Sequence, residues 1–185
     1  MTDRAQADSS ESFNAASPLW RFSLAFYSRP EVPALLLRLQ DECDADVNVV
    51  LFGLWRAGQY RSLSSDDFLA IDSVIQKWRA EIVAPMRTVR RTIKGSQDGS
   101  AAVDALYVAA KRLELEAERI EQSRLFAAAH LASGVGAETI EQAVTLSLNA
   151  YGRTRERMFP ADVIMGLTTA LEDMIRWKAR GNDGI

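Results

Sequence analysis

The run Val47-Asn48-Val49-Val50-Leu51-Phe52-Gly53-Leu54-Trp55 constrains this chain more than any other stretch. It is apolar around its whole circumference, with Asn48 as its one polar side chain. A helix of that kind must be wrapped by other elements. Asp46 precedes it and suits the N-cap, where a carboxylate accepts from free backbone N–H groups and meets the positive end of the helix dipole. Gly58 lies near its end, so the sequence predicts a helix over about 46–59. With 185 residues the chain can bury roughly 70% of its unfolded surface, enough for a core without staples.

The surrounding stretches repeat apolar residues at intervals of three and four, the mark of amphipathic helices. Ser17-Pro18 opens the first, with a cap followed by proline at the first helical position. It runs to Pro30 with Trp20, Leu24 and Tyr27 on one face and Phe22 and Phe26 on another, and is expected to be mostly buried. The second covers about 32–43, on Leu35, Leu36 and Leu39 with Cys43 one turn on. Ser64-Ser65-Asp66-Asp67 opens the fourth, which carries Phe68, Ile71, Ile75, Trp78 and Ile82, and Pro85 should kink it before it ends at Gly95. After a loop at 96–100, a long fifth helix covers about 101–132. There Leu106, Ala110, Leu113, Ala117 and Ile120 keep a spacing of about 3.5 residues, which predicts the buried seam of a helix pair. A sixth helix lies at 138–152 on Ile140, Val144 and Leu148, and a last one starts at Pro160 with Val163, Leu167, Leu171 and Trp177. No alternating strand pattern appears. The expectation is an all-α, single-domain antiparallel bundle of about seven helices over 18–178, behind a disordered leader at 1–17 and ahead of a frayed tail at 179–185.

Bulk properties narrow the function classes. A formal net charge of -3 gives no reason to expect a nucleic-acid binder. The single cysteine, Cys43, excludes an intrachain disulfide framework and a cysteine-rich zinc site, and a free thiol fits a reducing cytoplasm. The first residues lack the apolar segment of a signal peptide, and no run of about 18 apolar residues exists to span a membrane.

Catalytic constellations fail one by one. The lone histidine, His130, has Ala127 three residues before it, which rules out the Glu-x-x-His pairs of a di-iron bundle. Asp66, Asp67 and Asp72 imitate a magnesium–diphosphate motif, but no second acidic motif answers it. No nucleophile elbow, Walker loop or dinucleotide fingerprint is present. No cofactor, metal site or catalytic residue is assigned. Two candidate sites remain. Arg87, Arg90, Arg91 and Lys94 share overlapping faces of the fourth helix. Glu114, Glu118 and Glu121 line one side of the fifth, where like charges at i,i+4 need relief from cations such as those arginines. With Glu114 and Glu118 they form a candidate partner or anion face. Asp46 and Asn48 either cap the central helix or form a polar inclusion which, beside Trp20 and Trp55, makes a candidate ligand pocket.

The segments WRFSLAFY at 20–27, DVNVVLFGLW at 46–55, KRLELEAERIEQ at 111–122 and LNAY at 148–151 resemble the blocks of an uncharacterised family of small all-helical proteobacterial proteins, a domain of unknown function. The resemblance covers about 18–151, implies an all-helical fold and carries no activity, so no functional residue transfers. The reading that follows is a non-catalytic, cytoplasmic, bacterial interaction or adaptor protein whose partner is another protein or a second copy. One alternative is a small-molecule binder or enzyme with its pocket at Trp20, Asp46, Asn48 and Trp55. A second is an anion or nucleic-acid contact through Arg87, Arg90, Arg91 and Lys94.

Overall fold

The computed structural model describes residues 17–181. The expected leader falls outside them except for Ser17, as does the expected tail beyond Gly181. Helices α1 (Pro18–Tyr27), α2 (Val32–Cys43) and α3 (Val47–Ala57) lead to a short strand, β1 (Arg61–Ser62). Next come α4 (Ser65–Trp78), a π-helical turn (Arg79–Val83), α5 (Ala84–Gly95), α6 (Ala101–Ala127) and a 3-10 turn (Ala128–Leu131). Strand β2 (Val135–Gly136), α7 (Ile140–Thr154) and α8 (Ala161–Ala179) complete the order. The segments α4, π turn and α5 follow one another without a break, so the fold is all-α with seven helical rods among the described residues.

Capping chemistry sets the helix starts. Ser17 Oγ accepts from Trp20 N, Asp46 accepts from Asn48 N and Val49 N, and Thr139 accepts from Gln142 N. Ser64 and Asp67 form a reciprocal capping box, which accounts for the acidic start of α4. Helix α3 is the centre: every residue from Asn48 to Leu54 is buried, and it packs on α1, α2, α6 and α7. Phe26, Phe52 and Phe68 are fully enclosed, and Tyr151 lies between Phe68 and Phe159 with ring centroids 5.1 and 5.8 Å away.

Four features add to or correct the expectations. First, β1 and β2 pair antiparallel, Arg61 with Gly136 and Ser62 with Val135, a bridge too short to leave an alternating pattern. Gly134 has φ +63°, and a Cβ there would come within 2.7 Å of the Ser62 carbonyl oxygen, so glycine is required. Second, the irregularity attributed to Pro85 lies just before it. Ala84 N–H reaches Arg79 O, a π-type bond, in the turn that precedes the proline's missing N–H. Third, Leu106 and Leu113 are 56% and 59% exposed, so the predicted seam of α6 is not its buried face. Helix α6 instead buries Glu114, Ala117, Glu121, Gln122 and Leu125. It docks through ion pairs and amides, and this rotates the leucines outward. Fourth, α1 is buried along Leu19, Trp20, Ser23 and Phe26, while Leu24 and Tyr27 stay exposed.

From Ala84 through Leu113 no residue is buried. Helix α5 packs against α6 and the π turn rather than against the body, so α5 and the first half of α6 form a two-helix arm.

Candidate functional site

Where α6 meets α1 and α3, a chain of buried polar side chains crosses the core. Ser23 Oγ donates to Gln122 Oε1 at 2.8 Å, Gln122 Nε2 donates to Asn48 Oδ1 at 2.8 Å, and Asn48 Nδ2 donates to Glu121 Oε2 at 3.1 Å. All four are buried, and Glu121 is 0% exposed. Asn48 is therefore a hub inside the core, not a solvated first-turn residue. Replacing it with leucine leaves the Gln122 amide without its acceptor and Glu121 Oε2 without its donor. The expected cost for Asn48→Leu is about 2 kcal/mol by chemical denaturation, and a loss below about 0.5 kcal/mol would contradict the hub.

The chain ends in a charged cluster. Asp46 caps α3 through Oδ1 and receives Arg79 Nη1 on Oδ2 at 3.0 Å. Arg79 also holds Asp72 through two bonds, Nη1 to Oδ1 at 2.6 Å and Nη2 to Oδ2 at 3.1 Å. Tyr151 Oη accepts from Asp46 N at 3.0 Å, and burial followed by the Asp46 carboxylate pushes the phenol up. Glu121 Oε1 has no hydrogen-bond partner. Burial first, then the adjacent Asp46 carboxylate, push Glu121 up to about 9, so it holds a proton at neutral pH. That proton resolves the orphan: a protonated Oε1 is a donor, and Asp46 is the acceptor beside it. Of the three acids that imitate a diphosphate motif, Asp67 serves the capping box, Asp72 serves Arg79, and Asp66 is exposed.

On the other side of the polar chain lies an open cleft of about 470 Å³ between the arm and α1–α3. Trp20, Leu24, Tyr27, Leu37, Val47, Leu51 and Leu115 supply apolar and aromatic wall, and Ser23, Asn48 and Gln122 form a polar floor. The arm's side carries Arg87, Arg90, Tyr107, Lys111, Glu114 and Glu118. Arg87 bonds Glu114 at 3.2 Å and Glu118 at 2.9 Å, and Arg90 bonds Glu114 through Nε and Nη2. Burial raises Glu118, and Arg87 offsets part of that rise.

The two candidate sites read from the sequence thus meet in part. Trp20, Asn48, Arg87, Arg90, Glu114 and Glu118 all line the cleft. Asp46 and Trp55 do not: Asp46 sits in the Arg79 cluster, and Trp55 packs on Phe52 and Phe126 with ring centroids 5.8 and 5.6 Å away. Arg91 and Lys94 are exposed and form no ion pair with a described residue. Because Arg87 and Arg90 are spent on carboxylates, half of the expected anion face is internally neutralised. Ser23, Gln122, Arg79 and Tyr107 carry no sequence signal of their own. Among the described residues, no group of three His, Cys, Asp or Glu could hold a metal ion, and no helix is long and apolar enough to cross a membrane.

A family model described as protein of unknown function (DUF2390) matches residues 18–125. That is more than half of the chain. The chain belongs to this family. The DUF2390 match takes in α1 through nearly all of α6, and with them every residue lining the cleft and the whole arm. It ends before α7 and α8, and before the LNAY segment at 148–151. No curated protein and no solved structure matches the chain to a significant degree.

Proposed function

We propose that this DUF2390 member is a non-catalytic interaction protein of the bacterial cytoplasm that holds a partner with its α5–α6 arm. One observation carries the reading. No residue from Ala84 to Leu113 is buried, yet Val89, Leu106, Val108 and Leu113 expose 55%, 56%, 64% and 59% of their surface. Ala102, Leu106, Ala109 and Leu113 recur at alternating steps of four and three, so they form one stripe along α6, the spacing by which helices pair. The arm is also basic: with Arg87 and Arg90 paired to Glu114 and Glu118, four cations outside any ion pair with a described residue (Arg91, Lys94, Lys111, Arg112) stand against Asp98 and Asp104, in a chain of net charge -3. A helix with its own apolar stripe and acidic flanks complements that surface.

The double variant Leu106→Glu/Leu113→Glu tests it. Both side chains are exposed, so the change in unfolding free energy should stay within about 0.5 kcal/mol. Light scattering of the purified protein and co-purification from native lysate should both be compared with wild type. If a dimer dissociates in the variant, the partner is a second copy. If a co-purifying protein is lost, the partner is that protein. An unchanged set of partners and an unchanged mass refute the arm as the interface.

A further inference from the structure

We infer that the cleft between the arm and α1–α3 binds a small organic monoanion with an apolar body, such as a medium-chain carboxylic acid. The inference is independent of the arm's outward stripe, because the cleft lies on the side of α6 that carries Lys111 and Leu115 rather than Leu106 and Leu113. Its volume of about 470 Å³ is that of a small-molecule site. Trp20, Leu24, Leu37, Leu51 and Leu115 offer apolar wall to a hydrocarbon or aryl group.

The polar groups decide the charge. On the floor, Gln122 Oε1 takes the Ser23 hydroxyl and Asn48 Oδ1 takes Gln122, one bond to each carbonyl. Each carboxamide nitrogen carries two N–H bonds and makes one hydrogen bond among the described residues, so Asn48 and Gln122 each keep an N–H to spare, on side chains 5% and 2% exposed. The rim supplies the charge. Glu114 and Glu118, the acids lining the cleft, are held by Arg87 and Arg90, while Lys111 forms no ion pair with a described residue. Unused donors below and an unused cation above recognise an acceptor-rich, negatively charged head. A cationic ligand would find its carboxylates occupied.

Isothermal titration of the full-length protein with decanoate, decanol and decyltrimethylammonium tests this, since the three probes share a chain and differ in head charge. Decanoate should bind at least about tenfold more tightly than either of the others. Lys111→Gln should weaken decanoate by about tenfold and leave decanol unchanged. Leu24→Asp, at a position 52% exposed on the cleft wall, should abolish decanoate binding without moving the thermal midpoint. Any of three results overturns the inference: decanol or decyltrimethylammonium binding as tightly as decanoate, decanoate failing to bind at about 1 mM, or decanoate binding that ignores both substitutions. None of these outcomes depends on the Leu106→Glu/Leu113→Glu experiment.

Discussion

Arg79→Ala should cost about 3 kcal/mol of stability at pH 7, among the largest losses available to a single non-apolar substitution here. Arg79 stands at the start of the π turn and bridges two carboxylates from different helices, Asp46 at the head of α3 and Asp72 in α4. The side chains are 22%, 12% and 24% exposed, so water screens them weakly. Without the guanidinium, two negative groups face each other with nothing between them, and Asp46 still has Glu121 at its side. Removing one member of such a network leaves uncompensated charge, which costs more than the network is worth as a whole. Asp72→Asn should cost less, about 1 kcal/mol, because Arg79 keeps Asp46. Urea unfolding at pH 7 decides it: a deficit below about 1 kcal/mol sinks the account.

Much of this architecture is legible because it depends on neighbours in sequence. Ser17-Pro18, Asp46 and Ser64 with Asp67 announce helix starts through side chains that bond backbone a few residues on, and the all-apolar circumference of Val47–Trp55 dictates a central helix. The like-charged pair Glu114 and Glu118 demands outside cations, and the arginines one loop away are the ones that meet it. Other features depend on approach in space. Ser23 and Gln122 lie 99 residues apart, and Asn48 and Glu121 lie 73 apart, so nothing local marks them as partners. Arg79 reads as one more surface arginine until the π turn sets it between two helices. The stripe of α6 misleads for a related reason. Leucine spacing shows that a face is apolar, but which face turns inward is decided by Glu121 and Gln122, whose buried bonds hold α6 to the body, and by Glu114, which Arg87 and Arg90 hold to α5.

Glu121→Gln should remove most of the fall in stability expected of this protein between mildly acidic and mildly basic pH. In the folded chain Glu121 keeps its proton up to about 9, against an ordinary value of 4.5. Between those limits unfolding releases that proton, because the unfolded state binds fewer, so stability declines as pH rises through the window and levels off above it. The ceiling on that decline is about 1.4 kcal/mol per pH unit. Relaxation and entering water reduce it, so a fall of about 2 kcal/mol from pH 5 to pH 8 is the expected contribution. Glutamine is close in shape and carries no ionisable proton. Its oxygen can accept from Asn48 Nδ2, and its N–H groups can donate to Asp46 as the protonated acid does. The variant should therefore match wild type within about 0.5 kcal/mol at pH 5 and exceed it by about 2 kcal/mol at pH 8. Glu121→Ala, which leaves Asn48 Nδ2 without an acceptor, should be weaker than wild type at pH 5. Parallel stability profiles for wild type and Glu121→Gln across that range would show that Glu121 is ionised in the fold. Its Oε1 would then stay a buried charge without a donor, the arrangement the cluster of Asp46, Arg79 and Asn48 is built to avoid.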